Sequence, residues 1–264
     1  MADNYDSLIN RAEHLVEIDR WSEAIRLLAK ALGSDPEDFH ANAMMSLCHY
    51  SLGNKREALK YAEKAIESEP DEEWGHRLRS LALLQMGDAG SALKSAEEAA
   101  RIAPYEPFTL NTLATILLER NKTKRAREIA EQMVEIAPHL EQSHFTLGNV
   151  ALKEQNYWEA EKAFRRALHL NPNFADARNN LGVAMLRQES APEGEGIFKK
   201  AVSLTIFAKE NPVDKDEVAD NFREALKLDP TNEFAAQNLR FQYSYVGRQY
   251  LPSPIFRLPR SHFL

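Results

Sequence analysis

Five prolines fall at Pro36, Pro70, Pro104, Pro138 and Pro172, each 34 residues after the one before. Small residues keep the same interval. Ala24, Ala58, Ala92, Ala126 and Ala160 stand twelve residues ahead of the prolines. Ala31, Ala65, Ala99 and Ala167 stand five ahead, with Met133 in the fourth copy. A phase held over five copies at this length describes one supersecondary unit stacked repeatedly, because each copy buries its apolar face only against its neighbours.

Each unit reads as two helices. In residues 141–174, Phe145, Leu147, Val150, Ala151 and Leu152 form one apolar stripe, and Ala160, Ala163, Phe164, Ala167 and Leu168 form a second. Gln155 and Asn156 interrupt them, as Gly53 and Gly87 do in earlier units. Glycine there suits the left-handed residue that closes a helix. Asn171–Pro172 ends the unit, since proline donates nothing to a helix and pushes its predecessor out of helical geometry.

The pattern resembles the tetratricopeptide repeat, with a small residue at its eighth place, Ala at its twentieth and Pro near its thirty-second. Leu147–Gly148, Tyr157, Ala160, Phe164, Ala167 and Pro172 carry the resemblance best, and Leu181–Gly182 opens the next copy in phase. Ala12, Ser46 and Ser80 replace the usual Gly with other small residues that should pack. The resemblance implies an all-α, right-handed superhelical solenoid of antiparallel helix pairs. Its repeats would be 5–38, 39–72, 73–106, 107–140, 141–174 and 175–208.

The sixth copy has Ile206 where proline belongs, and its second helix is expected to open at Ser190–Ala191–Pro192–Glu193. Phe222, Ala225 and Pro230 then mark another second-helix pattern, arriving 24 residues late. Either a seventh repeat is truncated or one helix serves two units, within a region 209–250 that ends in a capping helix. The last segment, 251–264, contains Pro252, Pro254 and Pro259 and reads as extended.

Charge separates the two ends. The chain carries −7, yet residues 231–264 hold one acid, Glu233, against Arg240, Arg248, Arg257 and Arg260, which leaves −10 on everything before them. So acidic a body argues against nucleic acid as a partner. The tail's apolar residues Ile255, Phe256, Leu258, Phe263 and Leu264 alternate with basic ones, so 251–264 suits an acidic groove, its own or that of a second copy. No apolar run approaches the length of a membrane span, and the N-terminus lacks a signal-peptide core. These features and one cysteine, Cys48, point to a cytoplasmic protein.

Catalysis has little foothold. His139 and His144 lack the spacing of a helical metal pair, Glu193–Gly194–Glu195–Gly196 is no phosphate loop, and Cys48 sits in an apolar helix. Asn121–Lys122–Thr123 matches a glycosylation sequon but reads as an inter-helix turn. The expectation is a protein without enzymatic activity, cofactor or metal.

The resemblance also places a ligand groove. In this family, places 2, 5, 6 and 9 of each first helix face the concave side and hold an extended peptide. The third copy then supplies Trp74 and Arg77, and the fourth Phe108, Asn111 and Thr112. The fifth supplies Gln142, Phe145, Thr146 and Asn149, and the sixth Asn179 and Asn180. Rings would bury a guest's side chains while amides bond its backbone. The spacing of Asn149 and Asn180 matches a pair with which chaperone-docking relatives hold peptide backbone. The full carboxylate clamp is absent, because its first basic place holds Phe145. The expected function is an adaptor that binds a partner's extended segment. The alternative is a self-assembling protein whose groove holds its own or a neighbour's tail. Trp21, Tyr157 and Trp158, at the starts of second helices, read as inter-helix packing.

Overall fold

A computed structural model describes residues 4–190 and 215–232, together with Ala235, Ala236 and Asn238. Every regular element among the described residues is helical. The first eight helices are α1 (Tyr5–Glu17), α2 (Trp21–Ser34), α3 (Phe39–Ser51), α4 (Lys55–Ser68), α5 (Glu73–Gln85), α6 (Ala89–Ile102), α7 (Pro107–Glu119) and α8 (Thr123–Ile136). The remaining four are α9 (Glu141–Lys153), α10 (Tyr157–Leu170), α11 (Ala175–Ser190) and α12 (Lys215–Leu228). The chain divides into two compact units between Ile136 and Ala137.

The turn inside each pair follows from one backbone device. Asp19, Gly53, Gly87, Asn121 and Gln155 share the fifteenth place of their repeats, and all five have positive φ, from 55° to 86°. In each turn the next residue's N–H reaches back five residues at 2.8 to 3.0 Å, as in Arg20 to the Leu15 carbonyl and Asn156 to the Ala151 carbonyl. This is the Schellman arrangement, which satisfies carbonyls the helix end leaves open. Glycine fills the position twice. Asp and Asn tolerate it, and Gln155 occupies it against its preference.

The turns between pairs are tied differently. The fourth-place side chain donates to the carbonyl of the preceding repeat's proline. Asn42 Nδ2 donates to Pro36 at 3.0 Å, His76 Nε2 to Pro70 at 2.9 Å, His144 Nε2 to Pro138 at 2.9 Å and Arg178 Nη2 to Pro172 at 2.9 Å. His144 is therefore a turn fastener.

In the first unit, the alanines on the 34-residue interval are the contact points of α1 to α8. Ala24, Ala58, Ala92 and Ala126 have no exposed surface, nor do Ala31, Ala65, Ala99 and Met133. With no side chain beyond Cβ, paired backbones approach closely. Ser46 and Ser80 are equally buried, and their hydroxyls are spent on the Ala58 and Arg77 carbonyls.

In the second unit, α9 pairs with α10 and α11 with α12. A side chain at Gly148 would meet the Phe164 ring at 2.5 Å, and one at Gly182 would meet the Phe222 ring at 2.6 Å. Phe222 thus does for α11 what Phe164 does for α9. Among the described residues, α12 (Lys215–Leu228) is the helix that packs against α11. Ser190 is the last residue of α11, which runs 16 residues where the five first helices before it run 13. The notch at Gly182 is filled, among the described residues, by Phe222. Asn232 then caps the next turn by accepting from Ala235 N–H at 3.0 Å. Residues 191–214, with most of the expected helix opening and Ile206, lie outside the described residues, as does the tail 251–264.

Candidate functional site

Three asparagines on two helices of the second unit are joined by their side chains, and a fourth continues the line. Asn180 Nδ2 donates to Asn149 Oδ1 at 2.7 Å, spanning α11 to α9. Asn179 Nδ2 donates to Asn180 Oδ1 at 3.0 Å, and Asn238 Nδ2 donates to Asn179 Oδ1 at 3.1 Å. Each amide gives its nitrogen to the next oxygen, so the chain has a direction, from Asn238 to Asn149. Asn149 is 8% exposed, and Asn179 and Asn180 are 4% exposed. Burial at this depth is sustained because the amides answer one another.

Asn238 was hidden from sequence reasoning by the late arrival of the sixth repeat. Counted from Pro230, it stands at the same place as Asn180 does when counted from Pro172. The signal existed in the second proline register and needed the helix pairing to be read.

The other expected groove residues in this unit behave differently. Phe145 is a core ring, 1% exposed, with centroids 4.6 Å from Phe174 and 5.8 Å from Phe164. Its contribution in this structure is to the packing of the second unit. Gln142 and Thr146 are buried on α9, and the Thr146 hydroxyl donates to the Gln142 carbonyl one turn back, at 2.8 Å.

In the first unit, α5 and α7 bring the expected residues into a second cluster. Arg77 is 6% exposed, and its Nε donates to Glu73 Oε2 at 3.1 Å. The same carboxylate oxygen accepts from Thr109 Oγ1 at 2.6 Å, which ties α5 to α7. Trp74 is half-buried. Its ring lies 5.4 Å from His40 and 6.2 Å from Phe39, and His40 bonds Glu13 at 2.8 Å. Phe108 is half-buried, while Asn111 and Thr112 are buried. Thr112 and Thr115 donate to the carbonyls of Phe108 and Asn111, both at 2.9 Å, so these two hydroxyl protons serve the helix. Glu73 was not singled out from sequence, although its i,i+4 spacing from Arg77 is an ion-pair signature.

Nothing among the described residues groups His, Cys, Asp or Glu side chains in a way that would hold a metal ion. Cys48 is fully buried, and burial pushes its thiol up to about 12. His49 stacks on Tyr61 with centroids 5.5 Å apart, and burial lowers its pKa. Neither has the exposure or the neighbours of a reactive group.

Three family models tile the repeats. Two, each described as a tetratricopeptide repeat, match residues 4–81 and 145–211. The third, described as the N-terminal repeat region of Psidin, matches 49–173. The chain is a tetratricopeptide repeat protein. No curated protein matches its sequence. Among solved structures, a thermophilic tetratricopeptide repeat protein of Thermus thermophilus is 18% identical. It aligns over 69% of this chain and 100% of its own, with a TM-score of 0.64. PilF of Pseudomonas aeruginosa is 16% identical over 91% of this chain and 97% of its own, with a TM-score of 0.62. The Cut9–Hcn1 complex is 14% identical over 91% of this chain and 43% of its own, with a TM-score of 0.72. At these identities the likeness is one of fold. A tetratricopeptide repeat fold is that of a protein–protein interaction scaffold, and members of the family are generally non-catalytic. No helix among the described residues is long and apolar enough to cross a membrane.

Proposed function

We propose that this tetratricopeptide repeat protein is an adaptor that binds an extended segment of a protein partner, and that the asparagine chain of its second unit reads the partner's backbone. The observation that carries this is the run Asn238–Asn179–Asn180–Asn149, which crosses three successive first-helix positions. A side-chain amide and a peptide group offer the same donor and the same acceptor. A guest backbone can therefore enter such a chain by exchanging one amide–amide bond for another, with little net loss. Apolar contacts beside the line would then supply most of the affinity.

Selection of linear peptides from a random display library tests this. The wild-type chain should enrich peptides that the Asn149→Ala, Asn180→Ala double variant fails to bind at unchanged helicity. Equal binding by the two proteins would refute the reading.

One observation favours a second occupant. Nine of the eleven expected groove residues, Trp74 and Phe108 aside, are 8% exposed or less in the chain by itself. The tail 251–264, basic against an acidic body, would suit such a groove in its own copy or in a neighbour. Deleting it should raise the affinity for selected peptides if it competes, and should leave affinity and oligomeric state alone if it does not.

A further inference from the structure

Six large apolar side chains are exposed among the described residues, and three of them hold one place in the repeat. Ile18, Leu52 and Met86 are the fourteenth residues of the first three copies, 47%, 42% and 45% exposed. Each is the C-cap of its first helix, immediately before the left-handed residue of the turn. The turn does not require an apolar residue there, because Arg120 and Glu154 hold the same place before Asn121 and Gln155. Packing does not require it either, since nearly half of each residue lies open. Scattered apolar exposure is ordinary, but three side chains in register form a patch.

The stack of first helices sets these turns side by side. α1, α3, α5 and α7 contact one another in order. Gln85 Nε2 donates to the Tyr50 carbonyl at 3.1 Å, which joins the ends of α5 and α3 next to Met86 and Leu52. Arg120, next in the row, reaches back over the third copy's turn, its Nη1 3.4 Å from where a Cβ on Gly90 would stand. The apolar row therefore runs into the densest positive charge in the chain, where Arg120, Lys122, Lys124, Arg125 and Arg127 fall within eight residues. Arg125 is paired with Glu97 at 2.9 Å and Arg127 with Glu131 at 3.4 Å. Arg120, Lys122 and Lys124 are exposed and have no acidic partner among the described residues.

We infer that this edge of the first unit docks a segment of a protein partner that is apolar along most of its length and acidic at one end. First helices packed about 10 Å apart put Arg120 about 30 Å from Ile18, which sets the length of the segment. Ile18, Leu52 and Met86 supply the apolar contacts. Arg120, Lys122 and Lys124 meet the acids, which fixes the direction in which the segment lies. Charge selects this occupant. The chain's own tail 251–264 is basic and leaves these cations unanswered. An anionic membrane would meet Asp19 and Asp88 beside Ile18 and Met86, and those carboxylates repel its headgroups. Three free cations are too few to hold a polyphosphate against a net charge of −7. The surface is built from turns, outside the first-helix places expected to form a groove, and it uses no residue of the asparagine chain.

Selection on the full chain from a displayed library of random peptides about twenty residues long, enough to span the edge even as a helix, tests it. Clones are sorted by loss of binding to a Leu52→Ser, Met86→Ser, Lys122→Glu, Lys124→Glu protein, whose changes are all at exposed positions and should leave helicity unchanged. The expected class carries Leu, Ile, Phe or Met along its length with Asp or Glu grouped toward one end. It should bind the variant at least about tenfold more weakly than wild type. Replacing the acids of these peptides by Lys should abolish binding to wild type and restore it to a Lys122→Glu, Lys124→Glu protein, a rescue that loss of fold cannot produce. Absence of this class, peptides without grouped acids, or failure of the rescue would overturn the surface. Vesicles of phosphatidylserine and phosphatidylcholine are the second probe. Sedimentation of the wild-type chain with them, lost in the variant, would assign the edge to a membrane and overturn the protein partner. The Asn149→Ala, Asn180→Ala protein should bind the same class as tightly as wild type, so this edge and the asparagine chain can fail separately.

Discussion

The Phe164 ring lies in the space that a side chain on Gly148 would occupy, its Cε1 only 2.5 Å from where a Cβ would stand. Phe222 stands over Gly182 in the same way, at 2.6 Å. These two contacts identify α10 and α12 as equivalent helices although their distances from the partnering glycines in sequence differ by 24 residues. Both rings have no exposed surface, so neither can turn aside cheaply.

Gly148→Ala and Gly182→Ala should each destabilise the chain by about 1–3 kcal/mol through overpacking, even though alanine favours helix. Gly33 is the control. It lies in α2 with nothing within 4 Å of its missing Cβ, so Gly33→Ala should gain up to about 1 kcal/mol. Denaturant unfolding of the three variants checks the sign. A Gly182→Ala protein as stable as wild type would mean that α12 does not rest on α11 as described.

The turn residues supply a second comparison. Gln155 has φ of 61° at the place where Gly53 and Gly87 have 76° and 86°. A left-handed residue with a long side chain costs roughly 1–2 kcal/mol, part of which glycine returns through its freer unfolded state. Gln155→Gly should therefore raise stability by about 0.5–1 kcal/mol, and Gly87→Ala should lower it by about 1 kcal/mol. Thermal melts of both variants test the pair together, because only their opposite signs identify the backbone as the cause.

The repeat was legible in the sequence because its determinants are local and periodic. Pro36 to Pro172 end units, Ala24 to Ala160 allow close packing, and Gly53 and Gly87 close helices. Asp19, Asn121 and Gln155 hold the same turn with ordinary side chains, so composition did not mark them as equivalents of glycine. Ser190–Ala191–Pro192 has the chemistry of a helix start, and the helix it would open lies outside the described residues. What chose the partner of α11 was a distant ring, Phe222, fitting one notch, and local propensity does not register such a fit. The site divided in the same way. Asn149 and Asn180 were marked by their spacing, and their side chains bond each other across α9 and α11. Phe145 has the right place for a groove, but its ring turns to Phe174 and Phe164 instead.

Phe145→Ala should consequently behave as a core truncation. It is 1% exposed between two other rings, and removal of a buried phenyl costs about 3–5 kcal/mol. Phe145→Leu keeps most of the volume and should cost much less. If Phe145 served only a guest, both variants would unfold like wild type and differ from it in peptide binding alone.

Cys48 gives the alkaline limb of stability a defined contributor. Its thiol has no exposed surface, and burial raises it from about 9 to about 12 in the fold. A group raised in the native state stabilises fully below its unfolded pKa, and that contribution is lost as pH rises toward the folded value, because only the unfolded chain releases the proton. Between pH 9 and 12 this one group should remove up to about 1.4 kcal/mol of stability per pH unit. Other titrating groups act over the same range, so the measurement is the difference in slope between wild type and Cys48→Ala, from denaturant unfolding at stepwise higher pH. The variant starts less stable by its lost sulfur but should decline less steeply, so the two curves converge. Parallel curves would mean that the thiol ionises as easily in the fold as in the unfolded chain. Rapid labelling of the native protein by a thiol reagent at neutral pH would say the same.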